Sequence, residues 1–170
     1  MSSRMEERAI VVFPIFDGLH LIEQLRRRFD PLASVIKAHI TLVFPFASDL
    51  ATKQLHSHIQ RAVHDIHPFQ VRLQGITGHE GGYLFLNVTR GNDRFIELHD
   101  RLYSGPLAAY LSSEHTYVPH VTVGHLTDRT AFLEALEATT VVNTSFQATV
   151  SEVTLYKIAG SRPIEFSVRL

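Results

Sequence analysis

No cysteine occurs among the 170 residues, which removes disulfides, thiolate metal sites, iron–sulfur clusters and cysteine nucleophiles together and fits a reducing compartment. An excess of one charge is missing too. Lys and Arg number 16 against 17 Asp and Glu, a formal net charge of -1, so no global basic field exists to hold long nucleic acid by counterion release, and any polyanion contact must be local. No stretch reaches the roughly 18 consecutive apolar residues of a membrane span. The opening MSSRMEERAIVVFPIF is interrupted at Pro14 before it could serve as a signal segment. These absences lead to the expectation of a cytoplasmic protein with no membrane contact and no obligate protein partner. The length excludes a large multidomain enzyme and suits one domain, residues 1–170. Hydrophobic residues at 45% and charged residues at 19% are those of a folded globular chain. What the chain has in quantity is histidine, 11 residues, the side chain that titrates nearest neutrality.

Apolar periodicity predicts a strand at 9–13, a helix capped by Asp17 with Leu21, Ile22, Leu25 and Phe29 on one stripe, and a β-branched strand at 35–44. A helix over about 50–66 follows, then strands at 69–76 and 83–89 joined by a turn with Gly78, Gly81 and Gly82. Asn92 offers a cap to a helix with Phe95, Leu98 and Leu102 that Gly105-Pro106 ends. A strand at 117–124, a helix started by Thr127 or Asp128, and strands at 146–158 and 164–169 complete the chain. Sharing strand 83–89, both halves read β-α-β-α-β-β. The pattern predicts an α+β fold built by duplication, with approximate repeats 8–89 and 83–170.

His39-Ile40-Thr41-Leu42 and His120-Val121-Thr122-Val123 occupy the same strand slot of the two repeats. Residues i and i+2 of a strand share a face, so each half presents an imidazole beside a hydroxyl while Ile40 and Val121 point into the opposite, apolar layer. A third match, His125-Leu126-Thr127, falls where the strand should end and reads as a chance occurrence. Two such strands related by a pseudo-twofold axis would set two histidines across one cleft. One neutral His can then take a proton from a nucleophile while an imidazolium protonates the leaving oxygen, with the Thr hydroxyls donating to nonbridging phosphate oxygens. That scheme needs no metal and no other cofactor.

Paired His-apolar-Thr-apolar motifs, one per half, resemble the signature of the 2H phosphoesterase superfamily, and the chain looks most like its 2′-5′ RNA ligase-like, cyclic-phosphodiesterase branch. The resemblance implies a bilobal fold with two antiparallel sheets flanking a central cleft and helices outside. It implies hydrolysis of 2′,3′-cyclic or related cyclic phosphates on nucleotides or RNA ends, with 2′-5′ ligation as the reverse direction. It casts His39 and His120 as the acid/base pair and Thr41 and Thr122 as phosphate ligands. Some relatives carry Arg five residues after the second motif histidine, where His125 stands here. Lys37 is a candidate phosphate contact, since 37, 39 and 41 would share a strand face. Tyr156, in the penultimate strand, is a candidate base-stacking surface.

The remaining features point to ordinary structure. His56 and His58 diverge on a helix, and no His-Glu-x-x-His occurs, so no metal site is expected. His20, His56, His64, His67 and His99 read as solvated or capping groups, and Arg26-Arg27-Arg28 as a solvated face late in a helix. The rival from another class is a noncatalytic RNA- or nucleotide-binding module using the same cleft, although a pure binder has no use for a matched acid/base pair.

Overall fold

The computed structural model describes residues 5–161 and 163–170. Strand β1 (Glu6–Val12) leads through helix α1 (Leu19–Phe29) to β2 (Ile40–Ser48), then α2 (Thr52–Val63), β3 (Phe69–His79) and β4 (Tyr83–Arg90). Helix α3 (Asn92–Leu102) and a short 3-10 turn precede β5 (His120–His125), followed by α4 (Arg129–Thr140), β6 (Phe146–Val150), β7 (Glu152–Lys157) and β8 (Ile164–Arg169). Asp128 caps α4 as expected, its Oδ1 accepting the Ala131 amide at 2.8 Å. The other two expected caps differ. Gly18 and Gly91 begin α1 and α3 with positive φ, and Asn92 turns its Nδ2 back onto the Val88 carbonyl instead.

The eight strands of the described residues form one antiparallel sheet in the order β6-β3-β4-β5-β2-β1-β7-β8. Two separate sheets were expected, and the correction follows from the seam between β5 and β2, which is joined by a single pair, Ile40↔Val121. The expected strand 146–158 breaks at Ser151. Its first part pairs with β3 at one edge, while its second part lies between β1 and β8 near the other. One residue spans only a few ångströms, so the sheet must curl until its two ends nearly meet. On one side of the seam β1 and β2 from the first part of the chain sit with β7 and β8 from its last part, and the other side is made of the consecutive strands β3, β4, β5 and β6.

One face of the sheet carries the main core. Ile10, Ile40, Leu42, Leu86, Val121 and Leu155 pack there with Ile22, Leu55, Phe95 and Leu98 from the helices. At about 25 cal/mol per Å² of apolar surface removed from water, this face is the principal source of stability. The opposite face has its own small cluster of Ala9, Val11 and Tyr156, with Phe13 and Ile36 against it. Among the described residues no helix is long and apolar enough to cross a membrane.

Candidate active site

The Ile40↔Val121 pair turns both apolar side chains into the core, where each has no exposed surface. Side-chain alternation then puts the flanking residues on the other face. Carrying the antiparallel register one residue each way sets His39 opposite Thr122 and Thr41 opposite His120. His39 and His120 are diagonal neighbours across this pair, close enough for His39 to add repulsion against the charge of His120. All four side chains are half-buried.

The two histidines are held in the same way. His39 Nδ1 lies 2.8 Å from the carbonyl of Lys37, and His120 Nδ1 lies 2.7 Å from the carbonyl of Val118. A carbonyl only accepts, so Nδ1 carries the hydrogen in both rings and Nε2 of the neutral imidazole is left as the basic nitrogen. Neither threonine hydroxyl has a partner among the described residues.

Aromatic rings fix the imidazole planes. On β4, the strand between β3 and β5, Phe85 is stacked on both sides: His120 at 3.4 Å and 16°, and His79 at 4.2 Å and 28°. On the first-motif side Phe13 lies 6.1 Å from His39 and 6.1 Å from Tyr156. Beside Phe85, Asn87 donates to the Gly75 carbonyl and to Thr77, whose hydroxyl is 2.9 Å from His79 Nε2. Burial among these groups lowers the pKa of both motif histidines, because desolvation disfavours the imidazolium. For His120 the value falls to about 4, with His79 and His39 adding repulsion against the opposing effect of the Val118 carbonyl. For His39 burial again leads, the Lys37 carbonyl opposes it, and Arg26 adds to the lowering.

Two sets of residues outside the motifs set their backbone. Tyr117 donates its hydroxyl to the carbonyl of Thr41 at 2.9 Å, tying the loop ahead of β5 to β2 beside the one-pair seam. Its ring stacks on buried His99 at 4.0 Å, so His99 is a packed residue and not the solvated one expected. Arg26 is likewise buried, only 1% exposed. It binds Asp30 at 2.8 Å and Glu23 at 3.3 Å, and Glu23 accepts the Ala38 amide at 2.7 Å. That arrangement clamps the residue before His39. The expectation of a solvated face fails at Arg26 because this position faces inward on α1, whereas Arg27 and Arg28 are exposed.

Lys37 and Tyr156 are placed differently from expectation. Residues 31–39 form turns and irregular backbone ahead of β2, so strand parity does not govern Lys37. Its side chain is exposed, and its carbonyl is the part that touches His39. Tyr156 lies on the histidine-bearing side, but its ring is 6% exposed beneath Phe13 and beside Ala9 and Val11. It therefore offers little surface for a base to stack on. Sequence reading missed Phe85, His79, Phe13 and Tyr117. Alternation along 83, 85 and 87 in the neighbouring strand was the available signal for Phe85; nothing local marks Phe13 or Tyr117. Among the described residues no three His, Asp or Glu side chains are grouped to hold a metal ion.

The profile of the 2′-5′ RNA ligase superfamily matches residues 15–162, which include both motifs. The chain belongs to that family. A Geobacillus sp. (strain WCH70) protein named "Putative phosphoesterase" is 28% identical over 144 residues, covering 83% of this chain and 82% of the relative. A protein of the same name from Bacillus pumilus (strain SAFR-032) is 28% identical over 117 residues, covering 67% of each chain. Among solved structures, E. coli LigT complexed with NADP+ superposes with a TM-score of 0.61 at 17% identity, covering 98% of this chain and 99% of LigT. LigT complexed with 3′-AMP gives 0.57 at 19% identity, with 98% and 96% covered. At those identities LigT shows a common fold. The family in turn makes this chain a member of the 2H phosphoesterases.

Proposed function

We propose that this family member is a metal-independent phosphoesterase that opens 2′,3′-cyclic or related cyclic phosphates on nucleotides or RNA ends, in the cytoplasm and without an obligate protein partner. The observation that carries the reading is the matched tethering of His39 and His120, each with Nδ1 on the carbonyl two residues back. Both rings thereby offer Nε2 for proton transfer. One takes a proton from the attacking water as its oxygen bonds to phosphorus. The other, protonated at Nε2, gives its proton to the ribose oxygen as the P–O bond breaks, leaving a phosphomonoester. Thr41 and Thr122 donate to the nonbridging oxygens as charge grows. Phe85 keeps the His120 ring in plane, and Tyr156 supports Phe13 beside His39.

Both histidines are neutral at pH 7 in the free protein by the direction of their shifts. An anionic phosphate between them favours the imidazolium, so one ring takes up a proton from solvent when substrate binds. The same pair serves 2′-5′ ligation when a ribose hydroxyl replaces water as the nucleophile on the cyclic phosphate. The deciding assay offers purified protein a 2′,3′-cyclic nucleotide and a 2′-5′-linked dinucleotide with EDTA present. Turnover of the cyclic phosphate is expected. Tight binding with no turnover at any pH would replace this reading by a binding module, and turnover abolished by EDTA would require a metal-bound nucleophile.

A further inference from the structure

Phe85 touches more than the second motif histidine. Its register neighbours are Thr77 on β3 and Thr122 on β5, and its ring meets the diagonal neighbours beyond them, His79 on one side and His120 on the other. The three rings are close and nearly parallel: His120 lies at 3.4 Å and 16°, His79 at 4.2 Å and 28°. Both centroid distances fall below the roughly 4.5–7 Å usual for aromatic pairs, so imidazoles take up both faces of Phe85. His39 has a looser version of the same plan, with Phe13 tilted by 57° at 6.1 Å and Tyr156 behind it at 6.1 Å. His79 is itself fixed at one edge. Asn87 Nδ2 uses its two hydrogens on the Gly75 carbonyl at 3.2 Å and Thr77 Oγ1 at 3.0 Å. A hydroxyl has one hydrogen to give, and that of Thr77 goes to His79 Nε2 at 2.9 Å in preference to Asn87 Oδ1 at 3.3 Å. Between Thr77 and His79 the strand is backed by α4, where a Cβ on Gly78 would meet Phe132 at 2.8 Å and Leu136 at 3.1 Å.

We propose that His79 is a positioning residue for His120: tethered by Thr77, it closes the far face of Phe85 and so fixes the plane in which His120 presents Nε2 to the phosphate. It acts through Phe85 and not on the phosphate. The single bond from His120 Nδ1 to the Val118 carbonyl at 2.7 Å leaves the imidazole free to tilt about that contact, and a ring against its face removes the tilt. Phe85 can do this only if it is held in turn, because the χ2 torsion of a phenylalanine is broad and a ring with one open face swings about it. The closeness of His79 also registers as repulsion against a charged His120.

The kinetic part rests on the phosphoesterase reading, and the test separates the two. The ring protons of His120 are followed by NMR in the free protein, where the Phe85 ring current displaces them, alongside thermal melts and steady-state kinetics on a 2′,3′-cyclic nucleotide. His79→Ala should move the His120 resonances toward those of an unstacked histidine and leave those of His39 in place. It should lower kcat by about tenfold with little change in KM, as Nε2 drifts from its alignment. His79→Phe, which puts a ring back behind Phe85, should recover both. Thr77→Val, a smaller change that serves if His79→Ala does not fold, should reproduce the displacement in part. In a Phe85→Leu background His79→Ala should have no further effect on kcat, because the two side chains act in series. The assignment is overturned by His120 resonances or kcat that stay put in folded His79→Ala, by equal displacement of His39 and His120, by a loss that His79→Phe does not recover, or by a full further loss in the Phe85→Leu background. Displaced His120 resonances in His79→Ala, when even wild type turns over no cyclic phosphate, would overturn the catalytic reading and leave the positioning of His120 standing.

Discussion

An imidazole that must accept a proton at one nitrogen is useful only if its other nitrogen is fixed, and at His39 and His120 a backbone carbonyl does this within each motif's own turn. Burial then costs both rings their charge. The singly protonated pair, the active form, is most populated between the two lowered pKa values, with His120 at about 4. The profile of kcat/KM against pH should therefore be a bell centred below 6.5, while kcat peaks at higher pH because bound phosphate stabilises the imidazolium. Steady-state kinetics from pH 4 to 9 check both. A linked effect appears in stability. These histidines are neutral when folded and protonate more readily when unfolded, so their contribution is complete above the unfolded value near 6.5 and is lost as pH falls toward 4. His120→Gln should flatten the fall of Tm across that window in thermal melts. At this scale the motif residues were legible because strand parity is a short-range rule. Lys37 and Tyr156 were not, since one lies in a turn fixed by the distant Glu23 carboxylate and the other is covered by Phe13.

Strand and helix existence followed closely from apolar period, while boundaries gave way wherever a distant group intervened. Val35 and Ile36 read as strand by their branching, yet the Asp30 and Glu23 carboxylates take the Leu32 and Ala38 amides and hold the segment outside the ladder. Ser151 hides a change of partner strand inside what reads as one long run. Between β2 and β5 the backbone ladder is reduced to one pair, which gives the Tyr117 hydroxyl unusual leverage. Tyr117→Phe should keep the ring on His99, lower stability by about 0.5–1.5 kcal/mol, and lower kcat by about tenfold with little change in KM, as reacting groups drift from their alignment. Denaturant melts and kinetics on one preparation separate the two effects. The β3–β4 turn has a sharper requirement. Gly82 has a φ of +81°, and a Cβ there would sit 2.0 Å from the Leu126 carbonyl oxygen. Gly82→Ala should therefore cost about 1–3 kcal/mol, read in the same melts.

Across the whole molecule, the curl of the sheet brings together strands from both ends of the chain, and the candidate site lies at the seam. The expected repeats 8–89 and 83–170 do not coincide with the two sides of the seam, which divide the strands into β3 to β6 and β1, β2, β7 and β8. The joining of both sides into one sheet was not legible in the sequence, because nothing local in β2 or β5 marks a single cross-strand pair. If the seam exists to hold two histidines on one phosphate, neither should work without the other. His39→Ala and His120→Ala should each lower kcat on a 2′,3′-cyclic nucleotide by about 10²–10⁴. Thr41→Val and Thr122→Val should be milder, since proton transfer survives them. The most direct measurement is the double-mutant cycle of the two histidines, with EDTA present and folding verified by melting. Concerted action predicts that the double variant loses little more than either single variant, far less than the product of the two losses. Fully multiplicative losses would contradict a shared proton relay, and near-native turnover in the folded double variant would remove the histidines from the reaction altogether.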